Sequence, residues 1–182
     1  MKSIKKVLLF THEKYQKNKD INKLTRSLKS KKIHIELLIQ TSKNIQIQSS
    51  AEKLDIKEIK KHPSLSNYGI VIVFGGDGLF LSASKIAYLL DIPILGINFG
   101  KIGFLVDVDK KDIIKKVHEI LKGSYITDKR IMIDGKVTDS NLKTISSTSL
   151  NDIVIYNHGL LKMIKSKIFI NDFLINIQRS DG

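Results

Sequence analysis

Asp77 is the carboxylate best placed for chemistry in this sequence: it stands among Gly75, Gly76 and Gly78, directly after the apolar run Ile70-Val71-Ile72-Val73-Phe74. A run of bulky residues without polar alternation is the pattern of a fully buried parallel strand. Such a strand delivers its last residues to the edge where α/β sheets bind ligands. Three residues without Cβ let the backbone take positive φ and approach a flat or anionic ligand, with Asp77 facing it. Phe80, Ala83, Ala87 and Leu90 then follow helical spacing, so the loop opens a helix from about residue 79 to 90 whose N-terminal amides favour phosphate. The loop fits neither common phosphate fingerprint. A dinucleotide motif needs glycine where Leu81 stands, and a Walker motif needs glycine where Phe80 stands. A hydride-transferring dinucleotide enzyme and a P-loop NTPase are therefore disfavoured. An ordinary glycine-rich turn, with Asp77 capping the next helix, fits these residues equally well.

A second block decides between them. Pro93-Ile94-Leu95-Gly96-Ile97-Asn98 is a short apolar strand that opens into a loop with Gly100 and Gly103. Two successive strands with one helix between them place both loops on the same edge of a parallel sheet. With Gly75-Gly76-Asp77-Gly78 followed by Asn98, Gly100, Gly103, Phe104 and Leu105, the sequence resembles the NAD kinase family. The match continues through Gly123-Ser124-Tyr125, Lys129-Arg130, Leu150-Asn151-Asp152 and Gln178-Arg179-Ser180-Asp181-Gly182, in the order and spacing of bacterial members. Lipid kinases and phosphofructokinases share the first loop, while the second block is much more specific to NAD kinases.

The resemblance implies transfer of the terminal phosphoryl group of ATP, or in some members of polyphosphate, to the 2′-hydroxyl of the adenosine ribose of NAD, giving NADP. It casts Asp77 as acceptor of the hydroxyl proton or as the group that orients that hydroxyl. Gly75, Gly76 and Gly78 form the phosphate loop, with Gly78 giving a backbone contact to the ribose. Asn151 and Asp152 correspond to the pair that holds the adenosine part of NAD. Read alone this dipeptide is a turn, and Asp152 is one methylene shorter than the commoner glutamate. Arg179 and Asp181 correspond to nucleotide-contacting positions, although alone they read as an exposed charge pair at a strand end. Lys162 aligns with a weaker basic contact. Leu79 stands where a small polar residue is common, and the segment Phe10-Thr11-His12-Glu13 lacks the glycine often found there. Magnesium is expected to arrive with ATP, held by its phosphates. The family also implies a homo-oligomer when the protein is complete. A lipid or sugar kinase of the wider superfamily and a non-catalytic nucleotide-binding module are the alternatives.

Composition narrows the field. The 182 residues carry a formal charge of +13, from 31 basic against 18 acidic residues. Nearly all the basic residues are lysines scattered along the chain, with arginine only at 26, 130 and 179, so a coding bias toward Lys, Ile and Asn explains the charge better than a nucleic-acid stripe does. The absence of cysteine excludes disulfides, thiolate metal sites and cysteine nucleophiles. The five histidines show no metal-ligand spacing, so no protein-built metal site is expected. The opening residues form no signal peptide and no apolar run reaches membrane-spanning length. A cytoplasmic protein with no nucleic-acid or membrane partner is expected.

The elements that must position these residues divide the chain. Lys5 to Phe10 reads as a strand, Ile21, Leu24 and Leu28 as a helical stripe, and Ile33 to Ile39 as a second strand, a βαβ beginning. Leu54, Ile56 and Ile59 hint at a short helix. The strands at 70 and 93 follow, and then a helix from about 110 to 121 with Asp109 as N-cap and Gly123 at C′. This alternation implies a parallel sheet covered by helices. After Gly123 the helices stop. Asp134-Gly135 signals a hairpin turn, Ser149 to Tyr156 and Lys167 to Ile177 read as strands, and Asn171-Asp172 is a second turn. The fold class is α/β: a Rossmann-like parallel-sheet domain over residues 1–126, then the beginning of a β-rich, sandwich-like domain over 127–182; the resemblance implies this same division, with the nucleotide held between the two parts. Family members continue well beyond the Asp-Gly at which this sequence stops, so the β-rich part is expected to lack apolar cover and some nucleotide contacts.

Overall fold

Apolar runs without polar alternation become the inner strands of a six-stranded sheet. The computed structural model describes residues 3–99, 104–106, 108, 110–157 and 163–182. Strand β1 (Lys6–His12) leads through helix α1 (Lys19–Ser30) to β2 (His34–Gln40). Short strands β3 (Ile45–Ile47) and β4 (Lys53–Leu54) extend that side; β5 (Val71–Gly75), α2 (Asp77–Leu90) and β6 (Ile94–Asn98) build the other. The order is β4-β3-β2-β1-β5-β6. β1 is parallel to both β2 and β5, β5 is parallel to β6, and β3 and β4 are antiparallel additions. The chain leaves β1 on one side and returns on the other, so the switch point of the sheet lies between the carboxyl ends of β1 and β5.

Both faces are covered. Ile21, Leu24 and Leu28 of α1 pack with Ile113, Val117 and Leu121 of α3 (Ile113–Leu121) against Val7, Leu9, Ile72 and Phe74. Phe80, Ala83, Ile86 and Ala87 of α2 pack on the opposite face against Leu8, Phe10, Val71 and Val73. Gly96 permits this second contact, because a Cβ there would lie 2.9 Å from Phe80 Cδ2 and 3.2 Å from the Val106 backbone. Leu54, Ile56 and Ile59 fall on a strand end and a 3-10 turn over Ile56–Lys61, opened by a capping box between Asp55 and Glu58.

Gly123 ends α3 as its position implied. It has φ 93°, its N–H donates to Ile120 O, and the Ser124 N–H donates to Glu119 O, which is a Schellman closure. The α-helix itself is preceded by a 3-10 turn over Lys110–Asp112, with Asp112 at its N-cap. Asp109, the expected cap, lies outside the described residues.

Two antiparallel hairpins follow: β7 (Ile133–Thr138) with β8 (Thr144–Ser149), and β9 (Ile164–Ile170) with β10 (Phe173–Ser180). The second turns at Asn171 and Asp172, with φ 47° and 67°, as the sequence suggested. The first does not turn at Asp134-Gly135. That dipeptide sits inside β7, where the Ile153 side chain crosses so close that a Cβ on Gly135 would collide with it. The turn is made instead by Asp139, whose Oδ1 accepts the Asn141 and Lys143 N–H groups. The strand expected from Ser149 to Tyr156 is also corrected, because β8 ends at Ser149 and residues 150–157 join no ladder. Among the described residues the buried apolar core ends at Leu121, whereas Phe169, Phe173 and Ile175 of the second hairpin are exposed.

Candidate functional site

The carboxyl ends of β5 and β6 are locked in register, with Gly75 opposite Asn98 and the Phe99 N–H donating to Gly75 O. Phe99 is buried and clamped by two rings, Tyr15 edge-on at 5.8 Å and Phe74 at 5.4 Å between centroids. At the switch point, Thr11 Oγ1 donates to Phe74 O at 3.2 Å and ties the end of β1 to the end of β5. The two loops therefore leave the same sheet edge from rigid roots.

Asp77 joins them. Helix α2 begins at Asp77, not near residue 79, with Gly76 as N-cap, so the carboxylate rides on the first helical turn. Asp77 Oδ2 accepts the Phe104 N–H at 2.9 Å and Oδ1 accepts the Leu105 N–H at 3.2 Å. Sequence reasoning identified both segments and missed this bond, because a backbone donor leaves no trace in side-chain identity. The bond fixes the carboxylate plane. Each oxygen keeps a second lone pair for a further donor.

The glycines serve in a way that differs from the expectation. Among the described residues the only glycine with positive φ is Gly123, so left-handed backbone is not the reason for Gly75, Gly76 or Gly78. Gly75 is needed for packing: a Cβ there would stand 2.6 Å from Leu79 Cδ2 and 3.0 Å from Leu79 Cβ. Leu79 thus folds back over the loop. Cβ atoms on Gly76 and Gly78 would meet nothing within 4 Å. Their smallness keeps open space beside Asp77.

Asn151 and Asp152 are exposed and follow Leu150, which packs against the α2 side of the sheet. Arg179 and Asp181 are exposed at the end of β10, and Arg179 pairs in register with Lys165. The Asn157 N–H donates to Asp181 O at 2.9 Å, and Gly182 lies against Ile155 and Tyr156. The structure thus joins Asp77 to the second loop and the Asp181 end of β10 to the segment after Asp152. Among the described residues no hydrogen bond joins those two groups. Lys162, Gly100 and Gly103 lie outside the described residues. A cavity of about 1180 Å³ runs along β6 and the carboxyl end of α2, lined by Tyr88, Ile94, Ile126 and Arg130 among others, and it reaches Leu105 and Leu150.

Comparison with known proteins gives this geometry a family. Residues 7–125 match the family described as ATP-NAD kinase N-terminal domain. The NAD kinase of Teredinibacter turnerae is 39% identical over 113 residues, 62% of this chain and 39% of that protein. The NAD kinase of Buchnera aphidicola is 32% identical over 161 residues, 86% of this chain and 55% of that protein. The chain therefore spans about half the length, or less, of the relatives it matches. Yeast NADH kinase, solved in complex with NADH, superposes over 100% of this chain and 57% of its own, with a TM-score of 0.74 at 15% identity, which shows a shared fold. A glycine loop ending β5, a carboxylate latched to the loop after β6, and a family match that contains both segments lead to one statement: this chain belongs to the NAD kinase family.

Proposed function

We propose that this chain carries the phosphoryl-acceptor side of a NAD kinase, which moves the terminal phosphoryl group of ATP to the 2′-hydroxyl of the adenosine ribose of NAD. The observation that supports it is the fixing of Asp77: two backbone amides hold its carboxylate at the carboxyl edge of the sheet, between Gly76 and Gly78, where added Cβ atoms would meet open space. In the reaction the ribose oxygen forms a bond to the γ-phosphorus as the bond to the β,γ-bridging oxygen breaks. ADP leaves, and the hydroxyl proton passes to Asp77. A loose transition state makes alignment the larger part of catalysis, and a carboxylate held at both oxygens supplies it. Asn151, Asp152, Arg179 and Asp181 are assigned to the adenosine and phosphate groups of NAD, and Lys162 to a peripheral phosphate. Magnesium enters with ATP as part of the substrate. The complete protein is proposed to assemble as a homo-oligomer and to work in the cytoplasm.

A second reading has one observation in its favour. Both Asp77 oxygens already accept N–H groups, as they would in a purely structural latch between the two loops. NADP formation separates the readings. A coupled assay on the chain, alone and with the C-terminal region of a longer relative supplied, should show NADP formation in the complemented sample. NAD binding without NADP formation in that sample would leave Asp77 as a latch in a binding module.

A further inference from the structure

Among the described residues three polar ones are buried: Thr11, Glu36 and Ser84. A buried hydroxyl or carboxylate is costly unless it is hydrogen-bonded, so the partner it finds shows what its burial serves. The Ser84 hydroxyl donates to Leu81 O, one turn back on its own helix. Glu36 accepts the Leu37 and Ser49 N–H groups and the Ser49 hydroxyl, and so closes the connection between β2 and β3. Both arrangements are local. Thr11 differs: it is fully buried at the end of the apolar run Val7 to Phe10, and its hydroxyl donates to Phe74 O, 63 residues along the chain.

Phe74 stands where β5 gives way to the glycine loop. Thr11 opposite Phe74 is the last register pair between β1 and β5, and beyond it β5 pairs with β6 alone, through Gly75 opposite Asn98. The carbonyls that lead from there into α2 are held in succession. Phe74 O accepts the Thr11 hydroxyl at 3.2 Å, Gly75 O accepts the Phe99 N–H at 3.2 Å, and Gly76 O accepts the Leu79 and Phe80 N–H groups at 3.1 Å. The last two contacts come from backbone, which any residue type supplies. The first comes from a side chain, and Thr11 is the residue that provides it.

A peptide plane held at its carbonyl is held at its amide too, so the Thr11 hydroxyl sets the direction in which Gly75 leaves the sheet. Two residues later the chain presents the Asp77 carboxylate to the Phe104 and Leu105 amides. An error at the root is carried to a carboxylate whose value lies in alignment. We infer that Thr11 is a positioning residue for Asp77, holding the peptide from which the Asp77 loop departs. With no accessible surface it acts through the loop and not on a bound molecule. Its effect on turnover rests on the kinase reading of Asp77, whereas its effect on the loop rests on the geometry alone.

Thr11→Val keeps the shape and removes the donor, Thr11→Ser keeps the donor and removes a methyl, and Ser84→Ala, which removes a buried hydroxyl that serves its own helix, is the control. Amide exchange on the whole chain is read at Phe104 and Leu105 and divided by the change at Leu24 and Leu28 in α1. In Thr11→Val it should be roughly three- to tenfold faster than in the wild type, the scale of one neutral hydrogen bond, and in the other two variants within about twofold. In the complemented enzyme Thr11→Val should lower kcat by roughly tenfold with the KM for NAD little changed, while Thr11→Ser recovers most of the loss and Ser84→Ala has no effect. Thr11→Ala against Thr11→Ser isolates the same hydroxyl if the valine variant does not fold. Exchange at Phe104 and Leu105 that rises no more than in α1, failure of Thr11→Ser to restore it, or local loosening with wild-type turnover in an active sample would overturn the proposal. Loosening reversed by Thr11→Ser, in a sample whose wild type forms no NADP, supports the hold of Thr11 on the loop and counts against the kinase role of Asp77, so the two fail separately.

Discussion

Leu79 lies across Gly75, and a methyl group on the glycine would stand 2.6 Å from Leu79 Cδ2. The glycine loop is thus covered from within the protein by an apolar side chain. Gly75→Ala must push that side chain aside and should destabilise the chain by about 1–2 kcal/mol, the usual scale of overpacking. Adding Leu79→Ser should remove the clash, so the second substitution should cost less in the Gly75→Ala background than in the wild type. A double-mutant cycle by urea denaturation would show this as a favourable coupling; strict additivity would mean that Leu79 does not constrain Gly75.

Gly78 presents the opposite case. It lies on the first turn of α2, with open space where its Cβ would go. Gly78→Ala should therefore raise stability by about 0.5–1 kcal/mol through helix propensity and reduced unfolded-state freedom. NAD affinity in the complemented enzyme should fall if the new methyl occupies the space proposed for the ribose. A variant that is both more stable and fully able to bind NAD would show that this space is not used.

His118 gives the fold a pH dependence. Its Nε2 lies 2.9 Å from Ser27 Oγ across the contact between α3 and α1, and burial together with Lys31 and Lys122 lowers its pKa from 6.5. The folded state thus binds a proton less readily than the unfolded chain does. Its contribution is complete above pH 6.5 and is lost as pH falls from there through the lower folded value. The side chain is only partly buried, so the effect should be small and should shrink with added salt. Urea midpoints from pH 8 to 5 should slope less in His118→Gln than in the wild type, and equal slopes would remove His118 from the balance.

Amide exchange should divide the chain at the end of α3. Among the described residues the buried core runs from β1 to α3, while β7 to β10 expose Ile145, Phe169, Phe173 and Ile177. Strong protection is expected in β1, β5 and α2, with much faster exchange in both hairpins, since ladders without a buried face open at low cost. Equal protection across the two regions in a monomer would contradict this division.

What could be read from the sequence depended on whether a signal was local. The stripe Ile21, Leu24, Leu28 and the run Val71 to Phe74 are self-contained patterns, and both elements formed where expected. Asn171-Asp172 was read correctly because a two-residue turn depends on the φ values of its own residues. Asp134-Gly135 carries the same kind of signal, yet its role was set by Ile153, a residue far along the chain, and by the better turn that Asp139 makes. Ile153 to Tyr156 has β-forming residues, but a strand requires a partner as well as a propensity. At the site, the place of Asp77 at the sheet edge was legible from its glycine neighbours. Its amide partners, Phe104 and Leu105, were not, since any residue type can offer an N–H.

The most direct measurement is turnover and NAD affinity of Asp77→Asn in the complemented enzyme. The substitution keeps shape but removes the charge and replaces one accepting oxygen by a donor, so one of the two loop contacts is lost with it. Turnover should fall by roughly 10²–10⁴-fold, as for loss of a general base, while NAD affinity changes by less than about tenfold. Turnover near that of the wild type, with only the melting temperature lowered, would make Asp77 a structural latch and not the acceptor of the ribose proton.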